Sequence, residues 1–526
     1  MRDFHLPGRS AVFAQNGMCA TSHPLAATAA VGVLQGGGNA MDAAIAGAVL
    51  LGLCEPQMAG LGGDCFVLFT PPGSDRVIAL NGSGRAPAGL DPGSLRAAGH
   101  ARMPSSGPIS VTVPGAVDAF CRLSADWGRV GLDTVLAPAI RYAEDGVPVA
   151  PRTAFDWARS TAQLSGDARA FFLHQDAAPA PGDVFRHPAQ AEVLRRIAAG
   201  GRDAFYAGEI AEDMVDSLRG AGGVHTLEDF AATESTYVAP IAGTYGGYEL
   251  VEHPPNGQGA AAILLLNILK EFDLGALDPL GANRAHLEAE ATKLAYDARN
   301  RFIADADHTE RLDYLLAPET AKALAAQIDP ARAMHHPARL SEAVHRDTIY
   351  ITVVDRDRMA VSLIYSIFAS FGAGLASRKF GILFHNRGAG FNLTPGHPNE
   401  AGAGKRPMHT IIPAMLRRNG SIVMPFGVMG GPYQAAGHAR FVTNLTDFGM
   451  HPQAAIDAPR SFAWEDAMQV ERGYGTPVRE ALVALGHDVM VPEGPSGGAQ
   501  AIFIDAERGV LEGASDPRKD GCAIGY

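Results

Sequence analysis

Residues 346–368 read RDTIYITVVDRDRMAVSLIYSIF, and the fold is decided there. TIYITVVD and AVSLIYSIF are rich in β-branched and aromatic residues with a period of two. The polar DRDRM between them predicts a hairpin. A turn centred on Asp357 places Thr348 opposite Ser366, so one strand opens on a hydroxyl that faces a second hydroxyl. A threonine hydroxyl is a poor nucleophile unless a base removes its proton. Its own α-amino group is such a base, provided the chain is cut between Asp347 and Thr348.

Upstream, residues 330–347 (PARAMHHPARLSEAVHRD) read as an exposed connector. Further back, NRAHLEAEATKLAYDARNRFI predicts a long amphipathic helix, and VEHPPNGQGAAAILLLNILKEF a strand, a glycine turn and a buried helix. Near the start, two Ala-rich helices are separated by Gly36 to Gly38, with Asn39 as N-cap of the second. A glycine turn then feeds a strand from Cys65 to Phe69. Downstream, strands are expected at GSIVMPFGVMGG, DAMQVE, HDVMV and AQAIFIDAERGVLEGASD, with a helix from about Tyr433 to Asp447. Strand-rich stretches separated by buried helices indicate stacked layers of sheet and helix.

The chain has 526 residues, 47% of them hydrophobic, which is enough for a large core. A net charge of −13 argues against nucleic acid and anionic membranes as partners, since both require a basic surface. A small-molecule partner is expected. MRDFHLPGRS lacks the apolar core of a secretory signal, and no run approaches the roughly 18 apolar residues of a membrane helix, so a cytoplasmic location is expected. Cys19, Cys54, Cys65, Cys121 and Cys522 show no C-x-x-C spacing and read as buried thiols.

Several motifs fail on inspection. NEAGAGKRP has Asn399 and Arg406 where a phosphate loop needs Gly and Ser or Thr. His385, His397 and His409 recur every twelve residues, a spacing that carries no metal-ligand geometry on one element. In NGSGRAP the glycines around Ser83 are wrongly spaced for a serine nucleophile elbow, and the stretch reads as a tight turn aiming Arg85, a natural carboxylate partner. Gly430-Gly431, between a strand and a helix, suits backbone N–H groups turned toward a developing oxyanion.

These stretches, together with GGNAMDAAIAGA, EPQMAGLGGDCFVLF, VTVPGAV, GKRPMHTIIPAM and GASDPRKDGCAIGY, occur in an order that resembles the γ-glutamyltransferase family of N-terminal-nucleophile hydrolases over nearly the full length. The resemblance implies an α+β fold, a four-layer αββα sandwich, made by a proenzyme that cuts itself between Asp347 and Thr348. A large subunit (1–347) and a small subunit (348–526) would stay together as one domain, and a dimer of such heterodimers is the assembly left open. Carried over residue by residue, Thr348 is the nucleophile, Ser366 its support, Gly430 and Gly431 the oxyanion donors, and Arg85 the substrate-carboxylate arginine. Neither cofactor nor metal is implied.

The departures concern the substrate. The family's second-strand Asn is Phe368 here, its QMDDF is Arg387-Gly388-Ala389-Gly390-Phe391, and its paired serines are His409-Thr410. An ammonium facing Arg387 would be repelled, which disfavours a γ-glutamyl donor. Arg85, Arg387 and His409, with Phe368 and Thr410 nearby, suit a carboxylate without an amine. The pattern is similar to the oxamate amidohydrolase branch. A glutathione hydrolase or γ-glutamyltransferase, an acylase for larger amides, and an unprocessed scaffold are the competing expectations.

Overall fold

The alternating run pairs as its spacing predicts. Ile349–Val354 lies antiparallel to Ala360–Ser366, with Ile349 opposite Tyr365 and Val354 opposite Ala360. The computed structural model describes His5 and residues 8–334, 348–465 and 467–526, so Asp347 and most of the expected connector lie outside the described residues. Every residue of both hairpin strands is buried, because Met18–Thr21 and Asp64–Thr70 flank them and neither strand is an edge.

The full sheet runs Cys522–Gly525, Met18–Thr21, Ile349–Val354, Ala360–Ser366, Asp64–Thr70, Ile78–Gly82 and Thr236–Val238. A second sheet runs Val12–Ala14, Val510–Ser515, Gly498–Asp505, Ser421–Met429, Ala414–Arg418, Tyr248–Glu252 and Ile241–Tyr245. The two pack face to face through Tyr350, Ile364 and Met429. Gly427 permits this approach, since a Cβ there would stand 2.4 Å from the Tyr350 ring. A hydroxyl network adds polar stitching: Tyr350 and Ser362 share a 2.7 Å hydrogen bond, and Ser362 donates to the Phe426 carbonyl across the sheets.

Helices cover both outer faces, giving the four layers of an αββα sandwich. Ala40–Cys54, buried at every position, covers the hairpin sheet and begins with a full capping box in which Asn39 accepts from Asp42 N–H. At its other end buried Glu55 accepts from the Ser22 hydroxyl, and burial pushes its carboxyl up to about 7. Gly259–Leu269 and Tyr433–Thr446 cover the second sheet.

Ala282–Phe302 departs from its expected amphipathic character. Arg284, Glu288, Glu290, Lys293 and Arg299 are all buried, because separate segments cover them: Arg284 and Glu288 meet Asn444 and Arg440 of the helix Tyr433–Thr446, Glu290 and Lys293 meet the Met334 backbone, and Arg299 meets Gln258, while a small sheet built from Ser461–Trp464, Ala467–Val470 and Val489–Met490 packs on Ala285 and Ala289. The charges are neutralised in place: Arg284 pairs with Glu288 at 2.9 Å, and Lys293 with Glu290 at 2.7 Å. Cys19, Cys54, Cys65 and Cys121 are buried free thiols, whereas Cys522 is half-buried. No helix among the described residues is long and apolar enough to cross a membrane.

Candidate active site

Thr348 sits at the mouth of its strand, 2% exposed, and its hydroxyl points at Ser366 Oγ across 3.5 Å. That is longer than an ordinary hydroxyl–hydroxyl bond. Ser366 Oγ in turn accepts the Phe368 N–H at 2.8 Å. The hairpin register therefore delivers both hydroxyls, and the tight turn after Ser366 holds one of them still.

Phe368 adopts φ +78°, a strained conformation for a bulky residue. The surrounding loop imposes it: Ile367 N–H donates to the Met58 carbonyl, Ala369 N–H to Asn386 Oδ1, and Phe371 N–H to the Gln57 carbonyl. The result is a phenyl ring stacked on Arg387, whose guanidinium carbon lies 3.8 Å from the ring centre.

Arg387 is completely buried. Its Nη1 donates to Thr410 Oγ1 at 3.1 Å, while Nε and Nη2 have no hydrogen-bond partner among the described residues. Burial lowers its pKa to about 9, which leaves it a cation at neutral pH. Leaving charged donors unpaired inside a protein is costly. Nε and Nη2 form one edge of the guanidinium, the edge that takes the two oxygens of a carboxylate side by side.

The compensating charge is Asp64, buried at the start of its strand and opposite Ser366. Its Oδ1 accepts from Gly84 and Gly115 N–H, while Oδ2 lies 3.1 Å from His409 Nε2 and 3.4 Å from His385 Nδ1. Burial acts to raise the Asp64 pKa, but the two imidazoles and Arg387 outweigh it and the net shift is downward. Burial, then the Arg387 cation, push His409 down to about 3, so it is a neutral imidazole whose Nε2–H bonds the carboxylate. His385 and His409, separated in sequence, converge on one acid, while His397 sits apart against Asn392 and Asn399.

Gly430 (φ +119°) and Gly431 (φ +54°) join Ser421–Met429 to the helix Tyr433–Thr446. A Cβ at Gly430 would lie 2.9 Å from Gly497 Cα, so the turn demands glycine. The Gly430 and Gly431 carbonyls accept from Tyr433 and Gln434 N–H at the positive end of the helix. Gln258 Nε2 donates to both the Thr410 and Gly431 carbonyls, at 2.6 and 3.2 Å, and Arg299 Nη1 donates to Gln258 Oε1 at 2.7 Å. One amide thus couples the Arg387 wall to the glycine turn.

Arg85 lies elsewhere. Its side chain is 45% exposed and reaches Gly404 O at 2.9 Å and Asp305 at 3.3 Å. It makes no direct contact with Thr348, Ser366, Phe368 or Arg387 among the described residues. Its backbone is fixed by the Val113 N–H and its neighbour Gly84 by Asp64, and from that anchor the side chain leaves toward Gly404.

Reading the sequence misses Asp64, Gln258 and Arg299, and weighs His385 only as a metal ligand, not as a partner of Asp64. Asp64 had a signal, being the lone charge leading an apolar run into a strand. Gln258 and Arg299 act through contacts between distant segments and had none.

The gamma-glutamyltranspeptidase family model matches residues 26–526. An oxamate amidohydrolase proenzyme of Klebsiella pneumoniae is 36% identical, covering 97% of this chain and 98% of its own. A glutathione hydrolase-like YwrD proenzyme of Bacillus subtilis is 35% identical with the same coverage. The crystal structure of a cephalosporin acylase from Bacillus halodurans superposes with a TM-score of 0.92 at 38% identity, covering 100% of this chain and 99% of that one. The chain belongs to the gamma-glutamyltranspeptidase family and is a hydrolase of amide C–N bonds.

Proposed function

We propose that the chain is a self-processing threonine amidohydrolase for small acidic amides, with oxamate, cleaved to oxalate and ammonia, as the leading substrate. In this reading the Thr348 hydroxyl attacks the Asp347 carbonyl, and water resolves the ester to give chains 1–347 and 348–526. The freed α-amine, with a reference pKa of about 7.7–8.0, then takes the proton of the same hydroxyl as it attacks the amide. The oxyanion is received by the N–H groups of Gly430 and Gly431, and Ser366 donates to the nucleophilic oxygen. The amide C–N bond breaks, the amine leaves with the proton, and water hydrolyses the acyl-threonine. Every group this chemistry uses is in the chain.

The observation that carries the substrate reading is the unpartnered Nε–Nη2 edge of buried Arg387 beside the Phe368 turn. A short acyl group ending in carboxylate supplies what that edge lacks. The ammonium of a γ-glutamyl donor is not offered Asp64, since among the described residues both of its oxygens are already engaged. The 36% identical oxamate amidohydrolase supports the same reading. Thr410, which accepts from Arg387 Nη1, joins the proposal as a support of the anion, whereas Arg85 is turned toward Asp305 and takes no part in it.

The test is to follow ammonia from oxamate and 4-nitroaniline from γ-glutamyl-4-nitroanilide with the same processed protein. Turnover of oxamate with little of the anilide is expected. The reverse result returns the chain to glutathione hydrolysis, and a single uncut band with no turnover of either supports the scaffold alternative.

A further inference from the structure

Behind the glycine turn, the helix Tyr433–Thr446 carries Tyr433, Gly437 and Arg440 four and three residues apart, a spacing that puts them on one face. Gly437 makes room there: a Cβ would stand 2.9 Å from the Tyr433 ring and 2.7 Å from Val428 Cγ1. Beside it lies an internal cavity of about 10 Å³, walled by Val428, Phe441 and Ile456 and by Tyr433, Arg440 and Arg460. That volume admits about one water-sized guest. A carboxylate or a phosphate does not fit.

The polar groups here are donors that lack an acceptor. Arg440 and Tyr433 are 5% and 3% exposed. Arg440 Nη1 donates to Glu288, but Nε and Nη2 have no hydrogen-bond partner among the described residues, and neither has the Tyr433 hydroxyl. Burial pushes the Tyr433 pKa up, so its hydroxyl keeps a proton to donate. Unmet donors inside a protein are costly, and charged ones more so.

Charge decides between the possible guests. Glu288 is the carboxylate partner of both Arg284 and Arg440, so the three side chains carry one positive charge in excess. The adjoining group is balanced, with Arg460 and Arg518 against Asp516 and Glu471. A water molecule accepts from two donors but leaves the excess charge in place, and its own hydrogens face Val428, Phe441 and Ile456. A monatomic anion accepts from all three donors, needs no acceptor in return and cancels the charge.

We infer that this cavity is a binding site for one halide ion, with chloride as the ordinary occupant, held by Arg440 Nε and Nη2 and by the Tyr433 hydroxyl. Tyr433 N–H donates to the Gly430 carbonyl, so the ion anchors the first residue of the helix that follows the glycine turn. The site shares no residue with the Arg387 pocket and does not depend on the choice of substrate.

The test uses crystals of the protein grown in sodium bromide, with diffraction recorded at the bromine absorption edge. One anomalous peak is expected in the cavity, within hydrogen-bonding distance of the three donors. In solution, protein dialysed into sodium gluconate and titrated with sodium chloride at constant ionic strength should gain unfolding temperature along the logarithmic course of a single bound ligand. Tyr433→Phe keeps the ring over Gly437 and should raise the chloride concentration needed for a given gain by about fivefold or more. Arg440→Met leaves Glu288 paired with Arg284 and should abolish both the peak and the chloride response. If that variant does not fold, the parent crystal and Tyr433→Phe decide. Cavity density without an anomalous signal, the mark of water, overturns the inference. So does an unfolding temperature that ignores chloride, or a chloride response that Tyr433→Phe leaves unchanged.

Discussion

Thr348 Oγ lies 3.5 Å from Ser366 Oγ, at the position one step beyond the pairing of Ile349 with Tyr365. Both the proposed nucleophile and its supporting hydroxyl are thus set by strand register. A one-residue slip would turn one of them to the opposite face of the sheet.

Thr348→Ala should leave one full-length band on a denaturing gel and no turnover. Ser366→Ala should still fold but lower kcat by roughly a hundredfold, the usual effect of losing one donor at a developing charge. Ser366→Thr, which keeps the hydroxyl, should recover most of the rate. Terminal sequencing of the smaller fragment should begin Thr-Ile-Tyr.

Arg387→Met separates binding from stability. Losing two charge-assisted hydrogen bonds to a carboxylate should reduce kcat/KM for oxamate by roughly 10- to 100-fold or more. The same change removes a buried cation with two unpartnered nitrogens, so calorimetry should show an unfolding temperature no lower than that of the parent. A large fall in unfolding temperature would mean that Asp64 depends on Arg387 more than on its two histidines.

Gly430→Ala places a Cβ 2.9 Å from Gly497 Cα at a φ of +119°. Activity should fall by roughly two to three orders of magnitude. Circular dichroism should retain the native signal, because the displaced loops lie at the end of the strand.

Glu55 gives a pH-dependent signature of stability. Its pKa rises on folding from 4.5 to about 7, chiefly through burial. Its contribution is therefore fully present below pH 4.5 and is lost as pH rises through about 7. Glu55→Gln keeps an acceptor for Ser22 and cannot ionise. Its unfolding temperature should match the parent near pH 4.5 and exceed it progressively toward pH 8. A constant difference across that range would count against a protonated Glu55 in the folded protein.

Much of the site was legible in the sequence because it depends on local pattern. Period-two residues on both sides of DRDRM fix the Thr348–Ser366 pairing, and Asn39 and Gly430-Gly431 announce a cap and a turn by residue type alone. What could not be read depends on which segments meet. His385 and His409 share Asp64 only because three separate loops and strands end at one point. Arg85 carries the right chemistry, but the backbone that holds it sends the side chain toward Asp305. The long helix Ala282–Phe302 has charges at the spacing of a solvent-facing stripe, and they are covered by distant segments, Arg284 and Glu288 by the helix Tyr433–Thr446 and Arg299 by Gln258.

The order of strands has a further consequence. In both sheets, strands from before residue 347 lie on either side of strands from after residue 348. Two pieces synthesised separately would each carry raw, unsatisfied strand edges and would be prone to aggregate before meeting. Continuity of the polypeptide until the weave is complete makes the precursor its own assembly template, and once the backbone is cut the halves remain as inseparable as warp and weft.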